Sequence, residues 1–230
     1  MCSFSRPNGA GKSTTLSILC GILPPTQGEV YLAGENINDL RQQAFQNVIG
    51  ICAQQDIFWD PLTVFEHFSF QARLRGLSDW AIRAEVQRVA VEVGLDGDAF
   101  TSPASSLSGG QKRRLSIGMS IIGDPPIIFL DEPAAGLDPT TRHSLWQLIT
   151  KLRRPHRCII LTTHSMEEAE TLCTRLSVMA NGTLKCLGTS IHLKQRYAKG
   201  YTLELSLLPP QPASSSVMTA GVSPQAHLRR

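Results

Sequence analysis

Two short runs of apolar residues constrain the fold of this chain more than any other feature. They are Ile127–Leu130 and Cys158–Leu161, and neither alternates apolar with polar residues. Such runs are typical of strands that are covered on both faces in a parallel sheet. The β-branched runs Val48–Cys52 and Leu176–Met179 add two predicted strands, with helical patterns between the runs. This alternation predicts an α/β fold with a mostly parallel sheet flanked by helices.

The stretch from residue 62 to 122 predicts an α-helical subdomain inserted between strands. Its apolar side chains recur at helical spacing in two series, namely Phe65, Phe68 and Ala72, then Ile82, Val86, Val89 and Val93. Ser78 stands where it can cap the second helix. From Pro209 onward, four prolines and four serines in 22 residues predict a disordered tail. We therefore expect a domain over residues 1–208 and a tail over residues 209–230.

The charge balance and the cysteine spacing argue against several classes of function. The chain has 22 basic and 19 acidic side chains, and a body so near neutrality is not typical of a nucleic-acid or anionic-membrane binder. It has no run of 18 apolar residues that could span a membrane, and no secretory signal at its start. The six cysteines lie too far apart for C-x-x-C zinc or redox motifs, so we expect reduced thiols that are mostly small core residues.

A glycine-rich loop precedes the first helical pattern. It consists of Asn8, Gly9, Ala10, Gly11, Lys12, Ser13 and Thr14. Glycines let backbone N–H groups curl around phosphate oxygens where a Cβ would intrude. Lys12 would neutralise the β- and γ-phosphates, and Ser13 would ligate Mg²⁺ at the positive end of the helix. The full phosphate-loop pattern fails at Arg6, which occupies the first glycine's position, so a loop that merely caps a helix stays open as an alternative.

Asp131 and Glu132 directly follow the predicted strand Ile127–Leu130. Ligands bind at the carboxyl ends of the strands in parallel sheets. Asp131 would hold Mg²⁺, and Glu132 would polarise the attacking water as a general base. An acidic turn after a buried strand is the alternative, and only co-occurrence with the glycine-rich loop favours the functional interpretation.

A helix start at residue 108 also suits a phosphate. Ser108 is the predicted cap, Gln111 completes a capping box, and Gly109 and Gly110 occupy the first turn. Two glycines there weaken the helix and leave its N–H groups open to an anion. A merely well-capped helix with exposed glycines is the alternative.

Two further helix starts follow the predicted strands. Asp138 is a predicted cap with Pro139 at the first helical position. His164 stands at a strand-to-helix corner before a second predicted capping box, formed by Ser165 and Glu168, where it could reach a terminal phosphate. An ordinary surface histidine is the alternative there.

In combination, these residues resemble the nucleotide-binding domain of an ATP-binding cassette (ABC) transporter over about residues 7–205. The matching motifs are the Walker A loop at Asn8–Thr14, the Q-loop glutamine Gln54, the signature motif Leu107–Gln111, the Walker B strand Ile127–Glu132, the D-loop Ala135–Asp138 and the switch histidine His164. The segments Gly110–Gly118, Thr163–Glu170 and Asn181–Gly188 resemble subfamily A, many of whose members move lipids.

The resemblance implies a P-loop NTPase (RecA-like) fold. It also implies that the domain binds ATP and Mg²⁺ and hydrolyses ATP to power transport. If the chain follows subfamily A, the transported substrate would be a lipid. It implies catalytic roles for Glu132, His164 and Gln54. Residues 8–14, residues 108–111 and Asp138 would bind nucleotide, and Ser13, Gln54 and Asp131 would bind metal.

The partners are likewise what the resemblance implies. Two such domains would sandwich two ATP molecules head to tail, so that each site joins the Walker motifs of one domain to the signature helix of the other. Transmembrane domains would be the other partners, at the cytoplasmic face of a membrane, and no nucleic acid is expected.

The chain departs from the family pattern at its N-terminus. The family has a strand before the phosphate loop, antiparallel strands before that, and an aromatic that stacks on adenine. Only the short, polar segment Met1–Ser5 is available here. We therefore expect an N-terminal truncation, with the N-terminal β-subdomain largely missing, the central strand lost, and Val30 and Tyr31 without sheet partners.

Two alternatives follow for function. The truncated chain would be a catalytically weak or inactive nucleotide-binding fragment. A soluble ABC ATPase that acts on ribosomes or nucleic acid is less favoured, because the chain has no tandem cassette, coiled-coil insertion or basic arm.

Overall fold

A computed structural model describes residues 2–5, 10–37, 45 and 47–197 of the protein, and only the backbone of residues 2–5. The predictions for Asn8 and Gly9, the mismatch at Arg6 and the predicted tail lie outside this part of the chain. The centre of the fold is a sheet of six strands: β1 (Cys2–Ser5), β4 (Ile49–Cys52), β5 (Ile127–Asp131), β6 (Cys158–Thr163), β7 (Arg175–Ala180) and β8 (Thr183–Gly188). Two shorter strands, β2 (Tyr31–Leu32) and β3 (Glu35–Asn36), pair with each other.

The strand order in the large sheet is β4-β5-β6-β1-β7-β8. All neighbouring pairs are parallel except β7 and β8, which form an antiparallel hairpin at one edge. The predicted α/β class and the mostly parallel sheet are therefore confirmed.

Both faces of the sheet are covered at β5. Ile128 and Leu130 of β5 belong to a large apolar cluster with the helices of one face, whereas Phe129 packs with Leu16 and Cys20 on the other face. Successive side chains of a strand point to opposite faces, so a strand covered on both sides needs an uninterrupted apolar run.

Strand β1 occupies a central position. Cys2 is paired with Ile160 of β6 and Arg175 of β7, and both ladders are parallel. The expectation that this strand is lost is wrong, because main-chain pairing on both sides places a short polar segment in the sheet whatever its side chains. The expectation for residues 30 and 31 is also wrong: Tyr31 pairs with Asn36, and the carbonyl of Val30 accepts from the N–H of Ile37 (3.0 Å).

The helices with defined bounds are α1 (Lys12–Leu19), α2 (Val64–Leu74), α3 (Asp79–Val93), α4 (Asp98–Thr101), α5 (Gly109–Ile121), α6 (Pro139–Lys151), α7 (Met166–Leu172) and α8 (Ser190–Tyr197). Helices α2 to α5 all fall between β4 and β5, as the inserted helical pattern predicts. Phe68 is fully buried there, as are Ala72 and three predicted core residues of α3, Val86, Val89 and Val93, whereas Phe65 is 38% exposed. Ser78 precedes α3 without a side-chain capping bond.

The cysteines divide between core and surface. Of the five described, Cys20 and Cys52 are buried, Cys158 is exposed, and Cys173 and Cys186 are intermediate. The expectation of mostly core thiols therefore fails for three of them. Burial raises the pKa of the Cys20 thiol to about 12 and that of Cys52 to about 11, so both act as protonated packing groups.

Candidate nucleotide-binding site

Helix α1 begins at a loop that needs a glycine. Gly11 has φ 93°, a left-handed conformation that side chains rarely adopt. A Cβ at this position would lie 3.3 Å from the Cα of Gly182, in the turn between β7 and β8. That turn supports the loop, because the N–H of Gly182 donates to the carbonyl of Ala10 (3.1 Å). No side chain caps α1, so the first N–H groups of the helix are available to an anion.

Lys12 lies next to the acids that end β5. Its side chain is 5% exposed, and its Nζ is 3.8 Å from Oε1 of Glu132, whose side chain is 10% exposed. The two residues are far apart in sequence and meet because α1 begins beside the carboxyl end of β5. A buried ammonium beside a buried carboxylate keeps both charges paired.

Glu132 is the point at which the site converges. Its backbone has φ 43°, and its N–H donates to the carbonyl (3.1 Å) and the Oγ1 (3.0 Å) of Thr162. Its Oε2 accepts from Nε2 of Gln54 (3.3 Å) and lies 3.2 Å from Nδ1 of His164, which is 56% exposed. Side chains that follow β4 and β6, together with Lys12 of α1, therefore surround the carboxylate that follows β5.

A cavity of about 410 Å³ opens over this arrangement. It is lined by Ala10, Gly11, Lys12, Ser13, Thr14, Gln54 and Glu132. A smaller cavity, of about 70 Å³, lies beside it, with Glu132 and His164 among its lining residues. Glu132 lines both and so connects the phosphate loop with the corner that carries His164.

The few oxygen donors near this cavity suit Mg²⁺, which also binds substrate phosphates, better than they suit a metal whose ligands all come from the protein. Ser13 and Gln54 line the large cavity, and Asp131 is buried with Oδ1 bonded to Oγ1 of Thr162. No cluster of three or more metal-ligating side chains (His, Cys, Asp or Glu) is found in the described residues. Mg²⁺ is usually held by one or two carboxylates together with substrate phosphates, so a sparse set of oxygen donors is what it needs.

The signature segment has the predicted capping box. The Oγ of Ser108 accepts from the N–H of Gln111 (3.3 Å), and Oε1 of Gln111 accepts from the N–H of Ser108 (2.9 Å). Gly109 has open space where a Cβ would lie, whereas a Cβ at Gly110 would be 2.5 Å from Cγ2 of Thr141. None of residues 108–111 lines the cavity at the phosphate loop. The structure therefore separates the predicted site residues into two groups.

Asp138 belongs to the second group. It caps α6, because its Oδ2 accepts from the N–H of Thr141 (2.9 Å), and Pro139 follows at the first helical position as predicted. The same hydrogen bond lowers the pKa of Asp138 below the ordinary aspartate value. Thr141 thus connects the start of α6 with the glycine turn of α5.

The corner at His164 differs from the prediction in one respect. The Oγ of Ser165 accepts from the N–H of Glu168 (3.3 Å), but the Glu168 carboxylate does not return to Ser165. It accepts instead from Nε1 of Trp146 (3.1 Å) and Oγ1 of Thr163 (2.5 Å). The predicted second capping box is therefore half formed, because buried donors on α6 and β6 take the carboxylate. Burial raises the pKa of Glu168.

One residue close to the site was missed by the sequence prediction. Arg113, in the second turn of α5, is 5% exposed and donates to main-chain carbonyls beside Gln54 and Glu132. It lies in the basic run of residues 112–114, which was noted only as part of the resemblance of Gly110–Gly118 to subfamily A. The available signal was the helical spacing from Arg113 to Ile117 and Ile121, which places the arginine on the buried face of α5.

Across the described part of the chain, the helices are too short or too polar to cross a bilayer.

The sheet and the loop at the start of α1 are those of the P-loop class of nucleotide-binding domains. Residues 6–135 match the family model described as "ABC transporter", so the chain belongs to the ABC transporter family. Its similarity is to subfamily A, as the motifs predicted.

Two curated relatives illustrate this similarity. The chain is 45% identical over 203 residues to ABC transporter A family member 9 of Arabidopsis thaliana, a match that covers 88% of this chain and 21% of the relative. It is 42% identical over 222 residues to ATP-binding cassette sub-family A member 7 of Mus musculus, covering 96% of this chain and 10% of the relative. The chain thus spans between a tenth and about a fifth of the length of these relatives.

Two solved structures share the fold. An ATP-binding subunit of an ABC transporter superposes with a TM-score of 0.75 at 26% identity, covering 86% of this chain and 81% of that one. A dimeric ATP-binding cassette in a post-hydrolysis state, bound to ADP and Pi, superposes with a TM-score of 0.73 at 27% identity, covering 82% and 84%. These matches confirm the P-loop ATPase fold.

Proposed function

We propose that this chain binds ATP with Mg²⁺ in the cavity at the start of α1 and hydrolyses it to ADP and phosphate. The observation that carries the proposal is the convergence of Lys12, Gln54 and His164 on the carboxylate of Glu132. A buried acid surrounded in this way, beside an uncapped helix start, suits an anionic substrate that reacts with water.

Each residue then has a distinct task. Lys12 and the N–H groups of the first turn of α1 hold phosphate oxygens and offset their charge. Ser13, Gln54 and Asp131 would hold Mg²⁺, which neutralises charge on the phosphates when it is bound. Glu132 accepts a proton from the attacking water, and Gln54 and His164 fix the position of its carboxylate.

The change Glu132→Gln tests this mechanism. The amide keeps the size of the side chain but cannot act as a base, so phosphate release should fall by roughly 10²- to 10⁴-fold while ATP still binds. Glu167→Gln is the matched control, because Glu167 is exposed in the first turn of α7. Turnover that survives Glu132→Gln unchanged would contradict the proposal.

A second nucleotide-binding domain is the proposed partner. The start of α5 is exposed at Ser108 and Gly109 and lies outside the cavity of its own chain, which suits contact with a phosphate held by another domain. One structural relative is a dimeric cassette. We expect Gly109→Asp to fold normally, since Gly109 has open space, and to lose ATP-dependent dimerisation in sedimentation experiments. Gly109→Ala is the control, and a dimer that persists in Gly109→Asp would contradict this arrangement.

Weak ATP affinity of the 230-residue chain is also part of the proposal. Among the described residues that line the cavity, none is aromatic, so adenine lacks a stacking partner there. Base–aromatic stacking on nucleic-acid binders is worth ~1–3 kcal/mol, which corresponds to a roughly 10- to 100-fold loss of affinity here. A nucleotide titration tests this expectation, and an ATP affinity equal to that of a cassette with an aromatic residue against adenine would contradict it.

Coupling to transport completes the proposal. We infer that the chain powers transmembrane domains from the cytoplasmic face of a membrane, with lipid as cargo, which its similarity to subfamily A supports. The test is ATP-dependent movement of a labelled phospholipid in vesicles that contain the transporter to which this cassette belongs. Phospholipid movement that persists with Glu132→Gln would contradict the coupling. If the transporter hydrolyses ATP but moves no phospholipid, lipid is not the cargo.

A further inference from the structure

Arg113 is a buried arginine that makes six hydrogen bonds from one helix. Its side chain is 6% exposed. Nε donates to the carbonyl of Pro133 (2.7 Å), and Nη2 donates to the carbonyls of Asp131 (2.8 Å) and Glu132 (3.1 Å). Nη1 donates to the carbonyls of Ala53 (2.7 Å) and Gln54 (3.3 Å) and to Oδ1 of Asp56 (3.0 Å). The guanidinium thus connects two loops that are far apart in sequence.

Both loops carry residues of the proposed site. One carries Gln54 and the other carries Glu132, and the two side chains meet at 3.3 Å. Arg113 contacts the backbone of both and neither side chain, so it fixes where each side chain begins. Because the guanidinium is planar with donors in a fixed fork, it sets the distance between the two loops more rigidly than a flexible ammonium could.

Most of the groups that contact the Arg113 guanidinium are neutral main-chain carbonyls. Among the residues that the structure describes, Asp56 is its one carboxylate partner, and the Asp56 side chain is 26% exposed. Oδ1 of Asp56 also accepts from Oγ of Ser116 (2.6 Å), which anchors this loop to α5 a second time. A buried cation held mainly by carbonyl groups is costly if any of them moves away, because the donors would be left unsatisfied. The arrangement therefore keeps both loops attached to α5.

We propose that Arg113 is a positioning residue that makes the contact between Gln54 and Glu132 depend on the position of α5. The inference rests on the proposed function. The start of α5 is the surface assigned above to the partner domain, so a displacement of α5 by the partner would move both loops together. Glu132 would be correctly placed only when α5 is, which makes hydrolysis in a chain sensitive to the state of its own signature helix.

The test compares Arg113→Lys with Arg114→Lys. The neighbouring Arg114 donates to the carbonyl of Val93 (2.7 Å) and to Oγ of Ser144 (2.6 Å), away from both loops, and is the matched control. We expect Arg113→Lys to lower kcat by ~10-fold or more while the Kd for ATP changes little, since small misplacements of reacting groups cost rate more than binding. Arg114→Lys should leave kcat near the wild-type value.

A double-mutant cycle separates positioning from general loss of stability. If Arg113 acts through Gln54, then Arg113→Lys should add little to the loss of kcat already caused by Gln54→Ala, whereas independent effects would multiply. Multiplicative losses, or a wild-type kcat in Arg113→Lys, would overturn the inference. Turnover that does not depend on Glu132 would instead contradict the proposed function.

Amide hydrogen exchange tests the same inference without ATP. In Arg113→Lys, exchange in residues 53–56 and 131–135 should rise by ~10-fold or more, with no such rise in Arg114→Lys. Unchanged protection in both segments would overturn the inference. If Arg113→Lys does not fold, Asp56→Asn serves as the second variant, because it weakens one anchor of the loop that carries Gln54. The inference then requires that amide exchange in residues 53–56 rises by ~10-fold or more in Asp56→Asn.

Discussion

Replacing Lys12 by alanine is the most direct test of the phosphate-binding loop. The Lys12 side chain is only 5% exposed, and its ammonium is 3.8 Å from the carboxylate of Glu132. The change removes the one cation that lines the cavity among the described residues and leaves a buried acid beside the proposed phosphate position. Both effects disfavour an anionic ligand.

The expected size follows from the distances. Two unit charges at 4 Å interact by ~4 kcal/mol at an effective dielectric constant near ~20, which sets an upper bound. Bound phosphate must share Lys12 with Glu132, so the lower range for hydrogen bonds to charged groups, ~1.5–3 kcal/mol, is the better guide. The Kd for ATP should therefore rise by roughly ten- to 150-fold.

A fluorescent-nucleotide titration measures this change. Lys151→Ala is the control, because Lys151 is exposed in the last turn of α6, far in sequence from the loop. Urea unfolding of each variant shows whether the fold is retained. A folded Lys12→Ala chain with a Kd within about threefold of wild type would refute the assignment of Lys12 to phosphate binding.

Two further predictions concern stability. A Cβ in Gly50→Ala would lie 1.9 Å from the carbonyl oxygen of Ser120, so overpacking between β4 and α5 should lower the free energy of unfolding by ~1–3 kcal/mol or more. Urea unfolding measures this loss, with Gly109→Ala as the control because Gly109 has open space. Equal stability of the two variants would contradict this packing. Burial raises the pKa of Glu168 in the folded state, so its stabilising contribution is present below the unfolded pKa and is lost as the pH rises through the folded value. Unfolding titrations from about pH 4 to about pH 8 should therefore show wild type losing stability relative to Glu168→Gln, and a constant difference would count against a raised pKa.

Much of the fold could be predicted from the sequence, because local chemistry determines it. Strands β5 and β6 are covered on both faces and need uninterrupted apolar residues. The caps at Ser108 and Asp138 form with residues three positions later in the chain, so each cap can be predicted from a segment of four residues. The loop at Lys12 and the acid at Glu132 were predicted by the same reasoning, each from its own segment.

The parts that could not be predicted depend on tertiary contacts. Strand β1 is short and polar, and only its pairing with β6 and β7 makes it a strand. Arg113 lies in a basic run that suits solvent, and its burial follows from how α5 packs against the two loops of the site. The carboxylate of Glu168 accepts a hydrogen bond from Nε1 of Trp146 in α6 and not from the N–H of Ser165, because the buried indole donor competes more strongly than the local main-chain N–H.

The place of β1 also bears on how this chain folds during synthesis. Its two neighbours in the sheet lie more than 150 residues later in the sequence, so β1 is synthesised before β6 and β7 and stays unpaired until both have been made. Contacts of such long range slow folding, and unpaired strands of incomplete domains are prone to aggregate. The turn at Gly182, which supports the loop at Ala10, arrives later still. The nucleotide pocket can therefore form only after the turn at Gly182 has been made, although its own loop is made long before that turn.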